Sequence, residues 1–464
     1  MIQRLRTGGW RRRAPGAIAL TTADAVLTVG QAEAAADEAA GRLMGMFPEG
    51  GCLLLPSADP PAFLTGLMAC SRAGLTAVPW RETSQSLATI ADVVRPDGVL
   101  RLADGEVAVE PSGSPSFDGP RVGDLIMMTS GSTGAPKGVA LSLDHVMLNA
   151  VSAGAAMEIW RCNGWTIDID LALMSALSHM VMAWQFDLPL HHLGGREPAA
   201  TTALFRDGRL GFGGSPVQLV RLRERLASPD GPTMMVSSGD FLPPAMIDEI
   251  RAAFPESRLH KLYGLTELAG RFCCMPHDQL MADKAAVGWP LPGARVRIAA
   301  AAGEIGEVEA LSPLLMAGYY RPGGVFEPQA PGWLPTGDLG FEGADNALTL
   351  VGRADDVIKV GGEKVDRQSI EQALSDLFPD REYCVLGVEH PLLGQCPALF
   401  VSNLAGAAAC PSWAAIVAHI RSKLPSRYIP GLMYGLDCAL PRLANGKIDR
   451  EALKSQHRNF SRLR

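Results

Sequence analysis

Three consecutive segments near the start of the chain restrict its fold more than any other feature. Residues 52–56 (CLLLP) form an unbroken apolar run, residues 62–71 carry apolar side chains at helical spacing, and residues 76–79 (TAVP) form a second short run. A short apolar run without alternation reads as a buried strand, and a helix between two such strands makes a βαβ unit. The cadence returns with a strand at 125–129, a mixed segment at 145–156, an apolar helix candidate across 171–183 and a strand at 234–237. A helix at 244–254 then puts Met246, Ile247, Ile250 and Phe254 on one side. Parallel sheets covered by helices accommodate this order, so the expected class is α/β.

The chain is long enough, at 464 residues, for two or more units, and no repeat of fixed period divides it. Its 50 Gly and 34 Pro place many turns between short elements, which argues against a helical bundle. From about Gly288 the character changes: short segments at 295–299 and 307–310, separated by glycines, predict a twisted antiparallel or barrel-like part. Beyond residues 352–356, strand-like 358–360 and 383–388 and helix-like 368–378 and 413–424 predict a compact α+β unit.

Charge and cysteine usage exclude several function classes. A formal charge of -7 gives no general attraction to a polyanion, so nucleic acid is not an expected partner. Arg4, Arg6, Arg11, Arg12 and Arg13 cluster at the start without the apolar run of a secretory signal, and are expected to form a solvated arm. No apolar stretch is long enough to predict a spanning helix. Nine cysteines, an odd number without CxxC spacing, fit reduced thiols in a cytoplasm. The adjacent pairs His191-His192 and Cys273-Cys274 converge poorly on one zinc ion.

The strongest local signal is residues 125–138, LIMMTSGSTGAPKG. An apolar strand runs into Thr129, Ser130, Gly131, Ser132, Thr133 and Gly134, and Lys137 follows a proline that stiffens the exit. Backbone N–H groups, hydroxyls and an ammonium in one small volume are what triphosphate oxygens require. The spacing is not that of a Walker loop or a GxGxxG fingerprint, and taken alone the segment is also compatible with a Gly/Ser surface turn.

With four further motifs in order, YGLTE at 263–267, GWLPTGD at 332–338, GRADDVIK at 352–359 and PRLANGKIDR at 441–450, the chain resembles the adenylate-forming superfamily of acyl-CoA synthetases, luciferases and peptide-synthetase adenylation domains. The resemblance implies a basic arm at 1–15 followed by a large domain at 16–352 made of two doubly wound αβ subdomains and a small β-barrel-like one. A hinge at 353–356 and a small mobile α+β domain at 357–464 complete it. It implies ATP-dependent conversion of a carboxylic acid to an acyl-AMP with release of pyrophosphate, then capture of the acyl group by a thiol. ATP, Mg2+ and CoA are the implied cofactors.

The same resemblance assigns roles residue by residue. Thr266 would offer a hydroxyl to phosphate and Glu267 would ligate Mg2+. Asp338 would accept the ribose hydroxyls, Tyr263 would pack against adenine, and Arg353 and Lys364 would approach ribose, phosphate or CoA. Lys447 would bring a mobile positive charge to the α-phosphate as the reaction centre forms. Asp355 occupies the hinge position, or else only solubilises a linker if the domains are fixed. Trp184, Gly239, Gly264 and Leu265 are acyl-pocket candidates. His179 either lies near the substrate carboxylate or is a satisfied histidine of an apolar helix. Asp240 either enters the pocket, where it would favour a polar or cationic group, or faces solvent and caps the helix near Pro243. The usual acidic residue for an amino-acid substrate is not matched, since Asp168 and Asp170 lack its flanking pattern.

The expected function is thus an acid–CoA ligase, with a ligase that loads the phosphopantetheine arm of a separate carrier protein as the alternative. A non-catalytic nucleotide-binding relative would have lost Lys447, Glu267 or the hydroxyl-rich loop, and all are present. A monomer or homodimer is expected.

Overall fold

The computed structural model describes residues 10–462 except 83–85, 104–105, 115–120, 131–135, 227–230, 302, 344, 355–356, 362, 379–380, 403–409, 443–447 and 457–459. The chain forms two compact units, one of Met1–Val296, Ala310–Leu334 and Asn346–Leu348, the other of Arg297–Glu309, Pro335–Asp345 and Thr349–Arg464.

The first unit is built on two large sheets. One has eight strands among the described residues, in the order Val325–Pro328, Gly318–Arg321, Pro136–Leu141, Leu125–Ser130, Thr76–Trp80, Cys52–Pro56, Gly98–Ala103 and Glu106–Pro111. Its centre is parallel: Cys52–Pro56 pairs with both Thr76–Trp80 and Gly98–Ala103, and Thr76–Trp80 pairs with Leu125–Ser130. The helix of the first βαβ unit, Pro60–Ala73, begins where Asp59 accepts the Ala62 N–H and two prolines occupy its first turn. It ends at Gly74, whose φ of 72° closes the helix in the left-handed region. This helix packs against Val29–Met46, a capped helix that contributes a stripe of buried alanines.

The second sheet has nine strands among the described residues, ordered Trp289–Pro290, Cys273–Met275, Arg258–Tyr263, Met234–Ser238, Leu210–Gly214, Gly164–Ile167, Leu190–His192, Ile18–Thr21 and Val26–Thr28. From Ile18–Thr21 through Arg258–Tyr263 every pairing is parallel. Phe212, Met235 and Leu259 face a core closed by Leu219, Leu222, Ile247 and Ile250 of helices Pro216–Arg225 and Pro244–Ala253. Helices Leu143–Ala156 and Met174–Gln185 pack together. The mixed segment at 145–156 is therefore helical from Leu143.

In the second unit, the segments expected to be barrel-like join a four-stranded sheet, Arg295–Ala299, Gly306–Leu311, Leu334–Glu342 and Leu348–Arg353. The following α+β part holds helices Arg367–Leu374 and Trp413–Lys423 over a sheet centred on Gly394–Ser402. Ile370, Leu374, Ile416 and Ile420 meet Val385, Leu399 and Val401 in its core. No helix among the described residues is long and apolar enough to cross a membrane.

Of the five arginines expected in a solvated arm, Arg4 and Arg6 lie outside the described residues, Arg11 and Arg12 are exposed, and Arg13 departs from the expectation. Arg13 is buried and paired with Asp187 at 2.6 Å, and Arg11 donates to the Gln185 carbonyl at 2.9 Å. A basic cluster read only as charge hides that two aromatic surfaces, Trp10 and Trp184, dock it edge-to-face at 5.4 Å.

Candidate active site

Two antiparallel strands flank the hydroxyl-rich segment. Strand Leu125–Ser130 returns antiparallel as Pro136–Leu141, with Thr129 opposite Lys137 and Ser130 opposite Pro136. Gly131, Ser132, Thr133 and Gly134 lie outside the described residues. Thr129 carries a buried hydroxyl with no hydrogen-bond partner. Such a group costs about 1–3 kcal/mol unless something accepts or donates to it.

At the carboxyl end of strand Arg258–Tyr263, where open α/β sheets bind ligands, the chain turns through a short 3-10 helix, Thr266–Leu268. Ala269 (φ 58°) and Gly270 (φ 119°) then reverse it. Gly264 allows the reversal to pass close by, because a Cβ there would overlap the Gly270 carbonyl. The turn presents Glu267 to the hairpin: Lys137 Nζ lies 2.9 Å from Oε1, and the Tyr319 hydroxyl donates to the same oxygen at 3.0 Å. Lys137 also stands over the Tyr319 ring at 4.1 Å. Both bonds go to one oxygen, and the other, Oε2, has no partner among the described residues. Burial, followed by the Glu267 charge, pushes the Tyr319 phenol above its usual range and keeps it a donor. The ion pair thereby ties the eight-stranded sheet to the edge of the nine-stranded one.

Beyond Glu267, Asn149 of helix Leu143–Ala156 holds the loop by its backbone. Its amide donates to the carbonyls of Leu268 (3.3 Å) and Arg271 (2.6 Å), and its Oδ1 accepts the Arg271 N–H at 2.8 Å. Arg271 is thereby aimed at helix Met174–Gln185, where Nη2 donates to the Ser175 carbonyl and to His179 Nε2, each at 3.1 Å. His179 is buried and stacked on Trp165 with centroids 5.5 Å apart. Burial and then the Arg271 charge push its imidazole well below its usual pKa, so it is neutral. The ring presses on Gly213, where any Cβ would fall inside contact distance.

The remaining expected residues are placed as follows. Tyr263 meets Phe272 edge-on at 6.1 Å, and Leu265 is half-buried, its carbonyl accepting the N–H of Leu268 and Gly270. Gly239 and Asp240 are exposed, and Asp240 Oδ1 accepts the Phe241 N–H at 2.9 Å, which places it on the solvent side. Trp184 is committed to the N-terminal segment: its indole donates to the Arg11 carbonyl at 2.9 Å and Arg13 stands over its ring at 5.2 Å. Within the second unit, Asp338 is buried and accepts from Arg353 at 3.2 Å. Its N–H is fixed by Thr336 Oγ1, after Gly337 turns at φ 74°. Lys364 lies opposite Lys359 in a strand pair. Asp355 and Lys447 lie outside the described residues.

Three residues absent from the sequence-based set therefore stand in the site: Tyr319, Asn149 and Arg271. Only Arg271 could have been noticed, as a basic residue four positions after Glu267 in an otherwise apolar stretch.

A family model described as AMP-binding enzyme matches residues 120–320. The 2-succinylbenzoate–CoA ligase of Geobacillus kaustophilus is 28% identical over 342 residues, 71% of this chain and 68% of that protein. The sulfoacetate–CoA ligase of Cupriavidus necator is 28% identical over 369 residues, 74% of this chain and 68% of that protein. Among solved structures, the o-succinylbenzoate CoA synthetase of Bacillus subtilis in complex with the acyl-adenylate OSB-AMP has the same fold, with a TM-score of 0.80 at 22% identity over 98% of this chain and 97% of that one. The hairpin and the YGLTE turn that meet at Lys137 and Glu267 both fall inside the matched segment, so residues 120–320 carry the match to the AMP-binding enzyme family and include the site built above.

Proposed function

We propose that the chain activates a carboxylic acid with ATP, forming an acyl-AMP and pyrophosphate, and then transfers the acyl group to the thiol of CoA. The observation that carries this reading is the Lys137–Glu267–Tyr319 cluster at the mouth of the phosphate hairpin. The CoA ligases named among the relatives support the thiol acceptor.

The residues present fit a magnesium–nucleotide substrate. Mg2+ is commonly held by one or two carboxylates together with phosphate oxygens. Glu267 offers one carboxylate whose Oε2 has no partner among the described residues, and Thr129 offers an unpartnered buried hydroxyl beside the loop. When bound, the metal would neutralise charge on the phosphates.

In this reading Lys137 exchanges its contact with Glu267 for phosphate oxygens, and the backbone and hydroxyls of Thr129, Ser130, Gly131, Ser132, Thr133 and Gly134 complete the cradle. Thr266 donates to phosphate. Tyr263 packs on adenine, Asp338 accepts the ribose hydroxyls, and Arg353 orients that carboxylate. Lys447 stabilises charge at the reacting phosphorus, with Asp355 as the hinge of its domain and Lys364 as a second basic contact. Replacing Lys447 with Ala should cut the first step about a hundredfold or more.

The test is pyrophosphate release across a panel of carboxylic acids, with and without CoA. Acid-dependent release with thioester formation is expected. Release without CoA consumption would move the acceptor to a carrier-protein phosphopantetheine, and no release with any acid would overturn the reading.

A further inference from the structure

Among the described residues three arginines are buried, Arg13 and Arg271 at 7% exposure and Arg367 at 6%. Two have an acid: Arg13 pairs with Asp187, and Arg367 with Glu371 at 2.8 Å. Arg271 has none. Among the described residues its side chain hydrogen-bonds to a carbonyl and to the neutral ring of His179. Burial lowers its pKa to about 10, so at neutral pH the guanidinium is still charged. A buried charge without a counter-charge is costly and is normally paired.

The backbone of Arg271 is pinned on both its N–H and its carbonyl by Asn149, so the side chain is held in place and is not a surface arginine folded inward. A second orphan polar group lies on the same side of the sheet. Gly213 faces His179 and pairs with Val236, and the pleat puts Ser238 on the face of Val236. Ser238 is buried at 2% exposure, and its hydroxyl has no partner among the described residues. A pocket for a simple fatty chain would leave both groups unsatisfied.

Resting on the function proposed above, we propose that Arg271 determines acid specificity by binding a second, non-reacting oxyanion of the substrate, a carboxylate or sulfonate, with the Ser238 hydroxyl as an additional donor. The preferred substrates are then small acids with two acidic groups. His179 acts as a positioning residue, accepting one guanidinium N–H at Nε2 and so fixing the direction of the rest.

The experiment compares matched acids: succinate with butanoate, glutarate with pentanoate, sulfoacetate with acetate, and 4-carboxyphenylacetate with phenylacetate. Wild type should favour the doubly acidic member of at least one pair by about tenfold to a hundredfold in kcat/KM, the scale of a lost charged hydrogen bond. Arg271→Met, similar in length but uncharged, should erase that preference mainly through the KM of the diacid. It should leave the KM for ATP unchanged, and Arg271→Lys should restore part of the preference. Equal losses with both members would assign Arg271 to the reacting carboxylate or to the fold, and an absence of preference in wild type would overturn the proposal. If no acid supports pyrophosphate release, the proposed function fails. Calorimetric binding of the same acids then decides the inference separately, since tighter diacid binding by wild type than by Arg271→Met keeps it and equal binding removes it. Should Arg271→Met not fold, protection of wild type against thermal unfolding by the diacids but not the monoacids serves the same purpose, and equal protection overturns it.

Discussion

The two large sheets of the first unit solve the problem of polar groups in opposite ways. In the eight-stranded sheet the core is apolar, from Leu54 and Val78 to Ile126 and Tyr320, and the site chemistry lies on the hairpin of Leu125–Ser130 and Pro136–Leu141 and on the neighbouring strand Gly318–Arg321. The nine-stranded sheet and the helix on its face bury His179, His191, His260, Lys261 and Arg271. On the first sheet the cation, Lys137, already has an acid in Glu267, which in the proposed function it would exchange for phosphate. On the second, the hydrogen-bond partners of Arg271 among the described residues are neutral. A nucleotide varies little between enzymes of a family and can be met by a local motif. A variable acid is met by side chains scattered over several elements.

The contrast predicts that acid should weaken the nine-stranded sheet first. Desolvation lowers His191 to about 4 and His260 to about 3, and His179 shifts the same way. The unfolded chain, with histidines near 6.5, binds more protons than the fold between those values, so stability is full above about pH 6.5 and is lost as pH falls. By pH 5 each of His191 and His260 should have cost about 2 kcal/mol. Thermal unfolding between pH 7.5 and pH 5 should show this fall, and His260→Gln should flatten it. A pH-independent midpoint would break the contrast between the sheets.

The next largest effect belongs to the paired cation. Glu267→Gln keeps the shape but removes the charge that holds Lys137 and offers Oε2. Pyrophosphate release should drop about a hundredfold, and the Mg2+ concentration for half-maximal rate should rise. The KM for the acid should stay where it was, because in the proposed function Glu267 serves the nucleotide side. An unchanged Mg2+ dependence would withdraw Glu267 as the metal ligand.

The same difference explains what was legible in the sequence. Strand Cys52–Pro56 and helix Pro60–Ala73 appear in the sequence because an unbroken apolar run and a Pro-Gly bounded helix are local signals. Glu267 and Asp338 were visible through their motifs. Trp184 looked like a pocket aromatic because no local pattern reveals that Arg11, 173 residues away, caps its indole. Asn149 and Tyr319 were invisible for a related reason: their partners are 122 and 52 residues distant, at Arg271 and Glu267. Strand Leu210–Gly214 is rich in glycine and has little strand propensity. Its glycines are explained only by the rings of Trp165 and His179 that press on Gly211 and Gly213.

Gly213 therefore offers a finer test of the acyl side. A Cβ there meets the buried His179 ring, which is held between Trp165 and Arg271 and has little room to retreat. Gly213→Ala should destabilise the protein by about 1–3 kcal/mol, the usual cost of overpacking. By displacing His179 it should also raise the KM for the acid and leave the KM for ATP unchanged. An effect on ATP alone would show that the two sides of the site are not separable in this way.

The smallest expected effect comes from Tyr319, which touches both members of the ion pair. Tyr319→Phe removes the hydroxyl that donates to Glu267 Oε1 but keeps the ring beneath Lys137. One hydrogen bond to a charged group is worth about 1.5–3 kcal/mol in isolation, but Lys137 still satisfies the same oxygen. The loss should therefore be near the ordinary range of about 0.5–1.5 kcal/mol, or roughly threefold to tenfold in rate. Tyr319→Leu removes the ring as well and should cost a further factor of about two to five at this half-buried site. Both variants should raise the Mg2+ requirement while the pattern of preferred acids stays that of wild type. If Tyr319→Phe instead changed which acids are used, the phosphate hairpin and the Arg271 side would be coupled through the 3-10 turn that carries Glu267, and the separation between the two sheets would hold for folding but not for substrate choice.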